Sequence, residues 1–165
     1  MLTAVALCAR ALLKLGAAPI TSFTDDRTEA TLATMLYAST RDALLVQYPW
    51  RFAVAQLALT PLQTPPLSEF AYAFQLPADF LRALTVGQGA TYRIVRNTLH
   101  ANTPDVLLSY IYQPDESQFP PHFCQALVAR LSAEFCLPLT ENTRDRKSTR
   151  LNSSHLDLSR MPSSA

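Results

Sequence analysis

Glycine is nearly missing from this chain: Gly16, Gly87 and Gly89 are the only three in 165 residues. A loop that cradles phosphate needs several glycines within one turn, so nucleotide-binding loops of that type are excluded. Charge is also sparse, at 16% of residues with a formal net charge of +1. Nucleic-acid binders carry a basic stripe, and none appears before residue 145. The three cysteines, Cys8, Cys124 and Cys136, lie far apart with no Cys-x-x-Cys pair. A zinc site needs closely spaced ligand pairs, so these thiols read as small apolar helix residues of a protein from a reducing cytosol. No run approaches the roughly 20 apolar residues that span a bilayer. Met1 to Ala18 is apolar but begins without basic residues and is broken by Arg10 and Lys14. That is the reverse of a secretory signal, and it reads as a soluble helix. No Gly-x-Ser-x-Gly turn occurs. His100, His122 and His155 stand without a recognisable nucleophile and orienting group. The expectation is therefore no catalytic residue, no cofactor, no metal and no membrane.

What the chain has is apolar residues, 48% of the total, enough for a core in one domain. Val5, Cys8, Leu12 and Leu15 recur at helical spacing, and Gly16 and Pro19 stop that helix, placed at about 3–15. Asp26, answered by Glu29 three residues on, caps a second helix over about 26–48. Its face is marked by Leu32, Met35, Leu36, Ala43 and Val46, and Pro49 ends it. Residues 52–112 then change period. Segments around 54–59, 70–76, 83–86, 92–95, 99–101 and 106–112 read as strands, with Asn97 in a hairpin turn. The three prolines between Thr60 and Leu67 demand a loop. Pro120 and Pro121 open a third helix, whose face is Phe123, Leu127, Leu131 and Phe135 and which Pro138 ends or kinks, at about 120–137. The predicted fold is α+β: a helical bundle with a β-rich insert between helices 2 and 3.

Four residues are expected to anchor this architecture. Trp50, the sole tryptophan, and its neighbour Phe52 should join the second helix to the sheet. Pro77 opens a tight turn that delivers Phe80. Tyr110 and Tyr112 share one face of the last strand, a candidate docking surface wherever no helix covers it. The acidic group Asp25, Asp26 and Glu29 reads as helix capping rather than a metal site.

The order of these motifs resembles a known family. Leu7-Cys8-Ala9-Arg10-Ala11-Leu12, then Leu15-Gly16-Ala17 and Ile20-Thr21-Ser22-Phe23, is similar to the opening of the phage tail tubular protein A family of head-to-tail adaptors. The similarity continues through Tyr48-Pro49-Trp50-Arg51-Phe52-Ala53 and Tyr72 to Arg82, and resumes at Val106 to Ile111 and Phe119 to Glu134. The resemblance implies a structural virion protein without catalysis or cofactor. It implies a homo-oligomeric ring of roughly twelve copies at the head–tail junction, assembled in the bacterial cytoplasm. Portal and tail proteins would be its partners, and DNA would meet it only through the ring channel. Family members continue into a further long helix that helps to grip the portal; here that helix is expected to be missing, with three helices retained, so no portal-binding residue is assigned. The alternative is a small α+β ligand-binding or interaction module, which would need a pocket with convergent polar groups; an enzyme would need titratable groups gathered in a cleft.

From Asp145 the text changes. Asp145 to His155 resembles the translation of a short-read sequencing adapter, and Ser159 to Ala165 that adapter's far end. Residues 1–144 are thus expected to form the domain and 145–165 a non-native, irregular tail that truncates the gene. Without the tail, Lys plus Arg falls from 14 to 10 and Asp plus Glu from 13 to 11, a net charge of −1. The check is direct: an adapter-free clone amplified from the source DNA should read differently after about Arg144. Recovering the same codons there would end the adapter reading.

Overall fold

A computed structural model of the chain describes the backbone over residues 3–87 and 89–158, with side chains as far as residue 140. The fold is mixed α+β, with the β-rich insert between the second and third helices. Helices α1 (Ala4–Lys14) and α2 (Thr28–Gln47) are followed by a 3-10 turn (Arg51–Ala53). Six strands come next: β1 (Val54–Leu59), β2 (Tyr72–Gln75), β3 (Phe80–Val86), β4 (Tyr92–Val95), β5 (Thr98–Ala101) and β6 (Val106–Tyr112). A second 3-10 turn (Glu116–Gln118) leads into α3 (Pro121–Leu158). The chain divides into two compact units, one spanning Ala38–Cys124 and one made of Thr3–Tyr37 and the chain from Gln125.

The unit of Thr3–Tyr37 and Gln125 onward is helical. Thr3 caps α1 by accepting from the Ala6 N–H at 3.2 Å. Gly16, at φ +70°, closes it: Gly16 N–H donates to Leu13 O and Ala17 N–H to Leu12 O. These two bonds are a Schellman motif and satisfy carbonyls that the helix leaves over. The loop before α2 is tied by Asp25, which accepts from both Thr21 N–H (2.8 Å) and Thr21 Oγ–H. The Thr21 N–H is the main reason the Asp25 carboxyl sits below its usual range. Asp25 therefore bonds back into the loop and not to the helix, the capping bond expected of Asp26 does not appear among the described residues, and α2 starts at Thr28, two residues later than the sequence suggested. Ser132 Oγ of α3, shared between Val128 O and Ala11 O, fixes α1 to α3.

Two expectations about the helices fail. Met35 is 70% exposed, while Ala30, Ala33 and Tyr37 are buried. The buried stripe of α2 runs through Ala30, Ala33, Tyr37, Thr40 and Leu45, a face offset from the expected one. The stop at Pro138 does not occur either: α3 passes through it. Proline removes one helix hydrogen bond at a cost of about 3 kcal/mol, which good helix formers on both sides can carry. The helical backbone enters the segment from Asp145 that was expected to be irregular, and runs to Leu158; residues 159–165 lie outside the described residues. Phe123, Leu127, Leu131 and Phe135 are all fully buried, as their spacing foretold.

The Ala38–Cys124 unit holds both sheets. One has the order β1-β6-β3 and the other β2-β5-β4, all antiparallel. Leu59, Val86, Val106, Leu108 and Tyr110 of the first sheet join Phe74, Leu99 and Ala101 of the second in one buried cluster. The insert is therefore a small sandwich. Val95 pairs with Thr98, so β4 and β5 are joined by a two-residue turn at Arg96-Asn97, as expected. Arg96 holds φ +56° there, a strained value for any residue but glycine.

Gly16 offers a clean test of the first helix end. Nothing lies within 4 Å of a Cβ built on it, so Gly16→Ala meets no steric clash. Its cost is conformational, about 1 kcal/mol for a left-handed alanine. Urea melts should show that loss, and an unchanged midpoint would mean that the cap does not hold the positive φ.

Candidate interaction surface

The register places the ends of the sandwich. Leu59 faces Val106, Val86 faces Leu108, and both Tyr72 and Tyr92 face Ala101. The connections 60–71, 87–91 and 102–105 therefore emerge at one end, called distal here. The opposite, proximal end carries the 3-10 turn after α2, the turn before β3 and the segment after β6.

All six residues singled out in the sequence lie at the proximal end. Trp50 is half-buried, and its indole N–H donates to Leu44 O of α2 at 3.0 Å. Its ring meets Tyr48, Phe52, His122 and Phe123, with Phe123 edge-on at 5.2 Å. Phe52 packs on Phe119 and Phe123, and its carbonyl accepts from Tyr112 Oη–H at 3.1 Å. Pro77 O accepts from Phe80 N–H, closing the turn, and Phe80 stacks on Tyr110 at 5.9 Å. Tyr110 is 5% exposed and donates to Asp79 Oδ1; burial, then the Asp79 charge, push its phenol pKa up. Tyr112 also donates towards Gln118 Oε1. Tyr110 is thus core, covered by Phe80 and the second sheet, and the pair does not form an open docking face. The expectation failed because the period of a strand shows which residues share a face but not whether a second sheet covers it.

Leu62, Leu67 and Leu107 lie exposed towards the distal end, Leu67 completely so, while Tyr48, Leu57, Ile94 and Val95 are exposed elsewhere on the same unit. Loop 60–71 is nevertheless held on both sides. Leu62 N–H donates to Ala73 O at 2.7 Å beside a Pro61–Phe74 bridge. Ser68 Oγ meets His100 Nδ1 at 3.0 Å, Glu69 pairs with Arg93 at 3.3 Å, and Ala71 N–H donates to Asn102 Oδ1. The tautomer of His100 follows from its other partner. Thr98 Oγ–H donates to Val95 O, so Thr98 Oγ accepts from His100 Nε2–H at 3.0 Å. Nδ1 is then the acceptor, and Ser68 donates.

Sequence reasoning found no second member for His100, yet Ser68 lies on it across 32 residues. The alternation of β5, which turns His100 away from the core while Leu99 and Ala101 face it, was the available signal. The pair does not have the geometry of a nucleophile and base, because Nε2 is bound to a hydroxyl where an orienting carboxylate would sit. Among the described residues, no group of His, Cys, Asp or Glu is placed to hold a metal ion.

Beside the clasped loop lies a cleft of about 630 Å³, lined by Leu59, Gly89, Ala90, Val106 and Leu107 with Asp105 as its charged member. Gly87 and Gly89 supply the positive φ values that turn the chain there. No protein-family model and no curated protein matches the chain.

The proximal cluster should hold the sandwich unit together. Trp50→Ala removes four ring contacts and one hydrogen bond, and should cost about 2–4 kcal/mol given half-burial. Trp50→Phe keeps the ring and should cost about 1 kcal/mol. Circular dichroism melts measure both, and coincident curves for Trp50→Ala and the parent would refute the anchor role.

Proposed function

We propose that this chain is a structural subunit of a phage head-to-tail adaptor, acting in a homo-oligomeric ring between portal and tail and not as an enzyme. The order of motifs from Leu7 to Glu134 carries the reading. The arrangement of helices around a β-rich insert is compatible with it. Leu62, Leu67 and Leu107 are open towards the distal end of the sandwich, where they are available to a partner. A formal charge near neutral suits a protein that would meet DNA only through a channel formed by assembly.

One observation favours the second reading, a small ligand-binding module. The distal cleft falls within the roughly 300–1,000 Å³ typical of ligand sites. Asp105 is its single charged lining group, which gives a small ligand few polar points of orientation.

Light scattering and electron microscopy on the purified chain and on a repaired full-length version, each with and without the portal protein, test the adaptor reading. The repaired protein is expected to form closed rings seated on the portal, and this chain to form few or none. A repaired protein that stays monomeric with portal present, while binding a metabolite tightly, would overturn the adaptor in favour of the module.

A further inference from the structure

We draw no further inference here: the strongest candidate, the open cleft beside Ala90 and Leu107 at the distal end of the sandwich with Asp105 as its charged member, carries nothing because nothing in the structure shows what covers it.

Discussion

β6 is bonded on both edges, to β1 through six residue pairs and to β3 through five. The rest of the sandwich unit depends on that double pairing. A strand with two partners exposes no backbone groups of its own, so it can be buried on both faces. Val106, Leu108 and Tyr110 then turn to the second sheet, and Ile111 is buried on the other side. Because period 2 fixes every side chain once the register is set, a slip of one residue would turn all of these out of the core. The same register brings Tyr112 opposite Phe80 and within reach of Phe52 O, which ties the proximal aromatic cluster to the sheet. It also brings the distal loops together at the other end.

Parts of this were legible from sequence because they obey local rules. Gly16 closes α1 through the left-handed conformation that only glycine adopts freely. The β4–β5 hairpin follows from two short apolar runs and a polar pair. The face of α3 follows from aromatic and leucine residues four apart. The failures share one cause: each needed knowledge of what lies opposite. The α2 stripe runs through Ala30, Ala33, Tyr37 and Leu45, a face that side-chain size alone does not single out. Tyr110 is covered by a second sheet that periodicity could not place. Ser68 and His100 meet only because β2 pairs with β5 rather than with β1 or β3. Of the candidate surface, the proline-rich loop was legible as a loop, but its rigidity comes from long-range bonds to His100, Arg93, Asn102 and Ala73.

The two sheets differ in how their edges are protected. In the second sheet, the outer edge of β2 is partly covered by Pro61 and Leu62. The outer edge of β4 has no paired strand among the described residues, and Tyr92, Ile94 and Val95 are exposed along it. Such an edge invites unwanted pairing with other chains. Here it is only four residues long, Arg93 on it is paired with Glu69, and Arg96 stands at its end. Short length and the Arg96 charge limit such pairing, while loop 60–71 carries no charge between Thr60 and Ser68.

That contrast bears on what the distal end is for. Ordering a loop costs backbone entropy of about 1–2 kcal/mol per residue, which a loop with no role would keep by staying loose. Loop 60–71 instead has three prolines, two stems bonded to the sheet and an ion pair at its base. The leucine that the loop presents, Leu67, is left wholly exposed. Leucines exposed singly are common on folded proteins, so what the order of this loop supplies is a fixed backbone: the entropy of its tip is lost before anything touches it.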